Sequence, residues 1–260
     1  MKLTIIGSGN IGSALVSGLL RDRTVDPSDI TLTDTNSKAL APFAAKGINT
    51  LQNNAEAVKQ ADMVILCVKP YLVQAVIDEI KPALVESALL VSLAAGISLE
   101  QLRLFAGERP LFRIIPNTAM AVCQSMTCVA SENTNADQEK KVFDLLGRVG
   151  KVMKINESLM NAATVVASCG TAFILRYLHA ATSAGVEIGL RPEVAEAMTV
   201  QTLLGAAVLM SESNCHPEEE IDKVTTPKGI TIKGLNEMEH AGFSSSVIRG
   251  ILAAYKVFDD

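Results

Sequence analysis

Up to about residue 154, short apolar runs alternate with stretches whose apolar positions recur at helical spacing. The runs at 3–6, 30–33, 63–68, 89–93 and 111–115 are mostly apolar, the pattern of strands buried on both faces. The segments between them, 10–22, 36–46, 54–60, 71–85 and 98–106, read as helices. Such alternation builds a mostly parallel sheet covered on both sides. Runs at 128–130 and 151–155, with a helix at 136–147 between them, are expected to add edge strands.

From about residue 156 the strand signal stops. Residues 157–185 form a long apolar stretch, expected to be a helix buried on most sides and stopped at Ala184-Gly185, where glycine takes a left-handed cap. Being apolar nearly all round, it calls for burial beyond its own domain. Arg191-Pro192 opens a second helix running to about 212, with proline in the first turn. His216-Pro217 begins a third, and Glu218, Glu219 and Glu220 suit the positive end of its dipole. Two more are expected near 230–241 and 244–258. The chain therefore divides into an α/β domain at 1–154 and an all-helical domain at 155–260.

The first strand runs directly into Gly7-Ser8-Gly9-Asn10-Ile11-Gly12, after which Ile11, Ala14, Leu15, Gly18 and Leu19 share one helix face. A strand, this glycine spacing and a helix together read as a Rossmann-type dinucleotide site in a doubly wound sheet, the alternative being a merely structural strand-turn-helix. The first glycine permits a tight turn, the second lets a pyrophosphate approach the backbone, and the third lets helix pack on strand. The helix N-terminus offers amide donors to the phosphates. Asp34 ends the second strand, where a carboxylate accepts from a ribose 2′-hydroxyl and repels a 2′-phosphate, a lean toward NAD over NADP. The alternative is that Asp34 only caps the following helix.

Composition narrows the class. With 260 residues, 48% hydrophobic and 20% charged, the chain is far from the disordered range. A net charge of −5 gives no global pull toward nucleic acid or anionic membrane. No Trp and three Tyr argue against an aromatic stacking surface. Cysteines at 67, 123, 128, 169 and 215 are odd in number and irregular, which suits reduced thiols in a cytoplasmic protein rather than a disulfide framework. Cys123 and Cys128 have no His or Cys partners at zinc-like spacing, so no metal is expected. The uncharged runs 3–20, 114–131 and 158–175 carry Gly, Asn, Ser or Thr and read as interior of a soluble protein.

With these residues in place, the chain resembles the pyrroline-5-carboxylate reductase family over nearly its whole length. Beyond residues 7–12, the resemblance rests on Cys67-Val68-Lys69-Pro70, Ser92-Leu93-Ala94-Ala95-Gly96 and Arg113-Ile114-Ile115-Pro116-Asn117-Thr118. Its strongest part is Val224-Thr225-Thr226-Pro227-Lys228-Gly229-Ile230-Thr231-Ile232-Lys233-Gly234-Leu235. The family implies hydride transfer from NAD(P)H to the cyclic imine of 1-pyrroline-5-carboxylate, giving L-proline in the last step of its biosynthesis. It implies cofactor contacts at Asn54, Val68, Lys69, Pro70 and Ala94, although Asn54 also reads as a helix cap and Lys69 as a solvent-exposed strand end. It implies that Thr226, Gly229, Ile230 and Thr231 receive the substrate, with Thr231 the donor to the imine nitrogen. A dimer through the C-terminal helices, with the active site at the interface, is implied too; stacking of dimers is left open.

The chain departs from the family pattern in places. Lys228 stands where the family usually has Gly, Ile230 where it often has Thr or Ala, and Thr171 within a segment that usually reads Gly-Pro-Ala-Tyr. His179 replaces a Glu and Lys223 an Asn. Two other functions fit the same plan. One is a different dehydrogenase, such as a β-hydroxyacid dehydrogenase or a deazaflavin-dependent NADP reductase. The first of these needs a Lys in the first long helix of the second domain, and residues 157–185 contain none. The other is a non-catalytic nucleotide-sensing relative.

Overall fold

The computed structural model describes residues 1–258. Internal contacts divide the chain into two compact units, Met1–Cys169 and Gly170–Asp260.

The first unit carries β1 (Leu3–Ile6), β2 (Ile30–Thr33), β3 (Asn49–Leu51), β4 (Met63–Leu66), β5 (Leu89–Ser92), β6 (Leu111–Ile115), β7 (Ser125–Glu132) and β8 (Gly150–Lys154). They form one eight-stranded sheet in the order β3-β2-β1-β4-β5-β6-β7-β8. Only the β6–β7 pair is antiparallel. β3 carried no sequence signal, being a three-residue Asn-Thr-Leu run at the sheet margin. β7 is longer than expected and lies inside the sheet, paired on both sides, so β8 alone forms that edge.

Successive strand residues feed two separate cores. Leu3, Ile5, Met63, Ile65, Phe112 and Ile114 point to one face. Ile6, Val64, Leu66, Leu90, Leu111 and Ile115 point to the other. With both faces buried, the strands need no polar alternation, which is why they read as continuous apolar runs. The covering helices are α1 (Asn10–Asp22), α2 (Ser37–Ala44), α3 (Asn54–Ala57), α4 (Val73–Ile80), α5 (Leu99–Ala106) and α6 (Ala136–Gly147). α4 is shorter than the 71–85 expected. Pro70–Leu72 forms a tighter 3-10 turn ahead of it, and Pro82, which has no amide hydrogen, cannot donate the next bond of the helical ladder after Lys81.

After β8 the chain enters a helical run: a 3-10 turn at Glu157–Leu159, α7 (Met160–Ala163), a π-helical turn at Thr164–Cys169 and α8 (Gly170–Glu187). Contacts keep the chain up to Cys169 with the first unit, and Met160 is wholly buried in the second core. Arg113, 5% exposed in β6, ties the run down. Its Nη1 donates to Glu157 Oε1 and its Nη2 to Asn161 Oδ1, both at 3.2 Å. Glu157 Oε1 also accepts from the Leu99 amide at 2.6 Å. The Asn117 side-chain amide donates to the Ala167 carbonyl at 2.9 Å, satisfying an oxygen within the π turn.

The second unit carries α8, α9 (Pro192–Glu212), α10 (Pro217–Lys223), α11 (Ile230–His240) and α12 (Phe243–Tyr255), with α8 packed along α9 and α11 against α12. α8 does not stop at Gly185. A Cβ there would meet the Ala195 Cβ at 2.9 Å, so this glycine serves close packing on α9; Gly189, at φ +105°, takes the left-handed position. Tyr177 and Phe243 meet edge to face at 6.3 Å. Much of the apolar surface of α8 and α9 nonetheless faces outward in the single chain, including Ile174 and Leu204. The five cysteines are all free, with Cys67 and Cys128 buried.

Candidate cofactor cleft and substrate turn

A cleft of about 870 Å³ opens past the carboxyl ends of β1, β4 and β5. Strand order reverses between β1 and β4, the position where open α/β sheets bind ligands. Its floor is the glycine turn. Gly7 has φ +102°, and a Cβ there would lie 2.8 Å from the Cys67 carbonyl oxygen. A Cβ on Gly12 would come within 2.0 Å of the Gly7 carbonyl oxygen, whereas one on Gly9 would meet nothing within 4 Å. The three glycines therefore act differently: Gly7 turns, Gly12 packs, and Gly9 leaves room above the chain. Gly9 caps α1 with no side chain spent on the helix amides and no acidic residue in the first turn. That end is electropositive and open.

Gly7, Gly9, Asn10 and Ile11 line the cleft, as do Asp34 and Asn54, then Val68, Lys69, Pro70 and Ala94. Ser8 and Gly12 do not. Ser8 is buried beneath the loop, where its amide and hydroxyl both donate to Asp34 Oδ2, at 2.8 and 2.7 Å. There it holds Asp34 in place. The other Asp34 oxygen accepts from the Asn36 amide at 2.9 Å. Partial burial pushes the Asp34 carboxyl up, but the Asn36 and Ser8 hydrogen bonds outweigh it and leave the group below its ordinary value. Asp34 is thus a carboxylate at neutral pH. It does not cap α2; the Asn36 side chain does, accepting from the Lys38 amide.

Asn54 is likewise not the cap of α3, since Asn53 accepts from the Glu56 amide at 2.9 Å. Asn54 instead accepts from the Thr33 hydroxyl at 2.6 Å and donates to Glu79 Oε2 at 2.9 Å. Thr33 and Glu79 both line the cleft and were not singled out from sequence. Their only signal was membership of an ordinary strand and an ordinary amphipathic helix. The Cys67 thiol is buried, and desolvation pushes its pKa up to about 12, so it stays neutral.

The second set of expected residues lies in the other unit, at the start of α11. Gly229 is the N-cap, with no side chain bonded to the first amides and no acidic residue in the first turn. Thr226, Ile230 and Thr231 are all exposed. Gly229 donates its own amide to the Thr226 carbonyl at 2.9 Å, so the amides left for a ligand are those of Ile230 and Thr231. A Cβ on Gly229 would sit 2.5 Å from the Thr226 hydroxyl. Lys228 holds φ +61°, a left-handed position uncommon for a residue with a side chain.

A wider depression of about 950 Å³, bordered by Ser87, Arg109, Pro110 and Lys154, contains none of the expected residues. Its charges are of both signs, and it lies away from the strand ends that carry the glycine turn. Among the described residues no group of three or more His, Cys, Asp or Glu side chains could hold a metal ion.

Residues 2–96 match the family described as NADP oxidoreductase, coenzyme F420-dependent, and residues 157–259 match pyrroline-5-carboxylate reductase dimerisation. Pyrroline-5-carboxylate reductase 2 of Dictyostelium discoideum is 34% identical over 96% of the chain and 90% of its own length. The chain belongs to the pyrroline-5-carboxylate reductase family. Reductase 1 of the same organism is 38% identical over 97% of the chain, which spans only 48% of that longer protein. Among solved structures, the Plasmodium falciparum pyrroline carboxylate reductase with NADP bound superposes with a TM-score of 0.91 at 26% identity, covering 99% of this chain and 97% of its own. This family likeness carries the two-part fold: a mostly parallel sheet with its helices, followed by a helical region.

Proposed function

We propose that the chain reduces 1-pyrroline-5-carboxylate to L-proline with NADH or NADPH, the last step of proline biosynthesis. Family membership across both units supports this, and the glycine cleft is the observation that carries it. The residues present fit a dinucleotide: open space over Gly9, an uncapped α1 N-terminus, and a cleft large enough at about 870 Å³. The α1 amides face the pyrophosphate, and small Ala94 and Ala95 let a nicotinamide ring lie against backbone. Bound there, NAD(P)H supplies the hydride.

The chain's own task is to bind and orient. The Ile230 and Thr231 amides, with the Thr226 hydroxyl, receive the substrate carboxylate at the positive end of α11. The Thr231 hydroxyl donates a hydrogen bond to the imine nitrogen, drawing electron density from the carbon that is reduced. The C=N double bond becomes single as the carbon gains a hydride and the nitrogen a proton. Threonine is too weak an acid to titrate here, so Thr231 polarises or relays, and the acceleration comes mainly from orientation.

The dimerisation match and the outward apolar faces of α8 and α9 support a homodimer through the helical unit. Glu157–Glu187 and Pro192–Glu212 are also long and apolar enough to cross a membrane by length and composition. Burial against a second copy accounts for that apolarity in a cytoplasmic enzyme. The assay is NAD(P)H oxidation by the purified chain with pyrroline-5-carboxylate, a β-hydroxyacid/keto-acid pair and a deazaflavin in parallel. Turnover confined to the cyclic imine is expected. Turnover only with another substrate, or none with any, would refute the reading.

A further inference from the structure

The end of the cleft away from Ala94 is built by Asp34, Thr33, Asn54 and Glu79. Asn54 is held from both sides, its oxygen by the Thr33 hydroxyl at 2.6 Å and its nitrogen by Glu79 Oε2 at 2.9 Å. With a hydroxyl donating to Oδ1 and a carboxylate accepting from Nδ2, the amide has one orientation. Glu79 is on the exposed side of α4, and this hydrogen bond to a residue 25 positions away turns it toward the cleft. Asp34, whose carboxylate follows Thr33 in sequence, lies beside the same end. Lys69 is the sole cation among the lining residues, and it belongs to the turn after β4. The ribose end therefore carries two acidic side chains with no basic partner among those that line it.

We propose that Glu79 is a cofactor-specificity residue: it fixes Asn54 and, together with Asp34, makes the ribose end select NADH against NADPH. The inference rests on the cleft being the dinucleotide site. A free ribose hydroxyl donates to a carboxylate, whereas a 2′-phosphate brings nearly two further negative charges into a place that offers it two more. The discrimination comes from repulsion as much as from attraction.

The test uses the full-length chain, titrated with NADH and with NADPH by fluorescence, comparing the native protein with Glu79→Gln and Asp78→Asn. The glutamine side chain of the first variant keeps an oxygen for the Asn54 amide and loses the charge. Asp78 sits next to Glu79 on α4, is exposed and does not line the cleft, so its variant reports the effect of net charge alone. The native chain is expected to bind NADH more tightly. Glu79→Gln should tighten NADPH about three- to fivefold, the scale of one partly screened charge pair, and change NADH less than twofold. Asp78→Asn should leave the NADPH/NADH ratio as it is. Glu79→Ala, which also frees Asn54, should weaken NADH. A ratio unmoved by Glu79→Gln, or moved equally by Asp78→Asn, overturns the specificity role while the cleft assignment stands. Failure of both cofactors to bind the native chain overturns the cleft assignment itself, and this inference with it.

Discussion

Gly9→Ala and Gly12→Ala are the same chemical change three residues apart, and they should fail in opposite ways. At Gly12 the new methyl would stand 2.0 Å from the Gly7 carbonyl oxygen, against an ordinary contact of 3.4–4 Å. The obstacle is backbone, so the turn itself must give way by more than an ångström. Overpacking of this kind costs about 1–3 kcal/mol, and with no flexible side chain to yield the upper end applies. That corresponds to a fall in Tm of roughly 6–12 °C for a unit of this size.

At Gly9 the backbone, φ −63° and ψ −174°, is one any residue adopts, and no atom lies within 4 Å of the new methyl. Reduced freedom of the unfolded chain favours Ala by about 0.4–1 kcal/mol. Loss of a preferred cap residue offsets this by a similar amount, leaving stability within about 1 kcal/mol of native. The methyl nevertheless fills the space in which the pyrophosphate meets the α1 amides, and at least about a tenfold loss of NADH affinity is expected. Thermal melts and NADH titrations of both variants make the comparison. A Gly9→Ala chain that binds NADH as the native does would show that the pyrophosphate does not lie over this loop.

Thr231→Ala should lower kcat with cofactor affinity nearly intact, while Thr226→Ala should mainly raise KM; steady-state kinetics unchanged in both would place the substrate elsewhere. Glu139 is held at about 2, chiefly by the Lys154 ammonium and also by the Ser131 and Thr134 hydroxyls. Because its folded value is depressed, the stabilisation is present above the ordinary carboxyl range and is lost as pH falls toward 2. Glu139→Gln should accordingly melt below the native chain at neutral pH, with the gap closing in acid. Sedimentation at micromolar concentration should show a dimer, and a stable monomer would contradict burial of the α8 and α9 faces against a second copy.

What was legible in the sequence was whatever depends on near neighbours. The β1 run, the glycine spacing and the helix after it are contiguous, so their joint geometry could be read directly. Pairings across long stretches of chain could not. Ser8 reads as one more loop residue until the fold brings Asp34, 26 positions on, to its amide and hydroxyl. Glu79 reads as solvated helix until Asn54 reaches it. β3 escaped because three polar or half-buried residues at a sheet margin carry no periodicity. Gly185 departs from expectation for the opposite reason: glycine after alanine late in a helix matches a left-handed cap, and only the closeness of Ala195 shows that it serves packing. At the substrate turn the residue types were legible, but the spending of the Gly229 amide on Thr226 required the backbone.

The most direct test of the account is to follow the hydride. NADH carrying deuterium at the nicotinamide C4 position, incubated with the full-length chain and pyrroline-5-carboxylate, should yield L-proline with one deuteron on the former imine carbon, from one face of the cofactor only. Cofactor oxidation no faster with the imine than without it, or proline free of deuterium from both cofactor faces, would contradict the account.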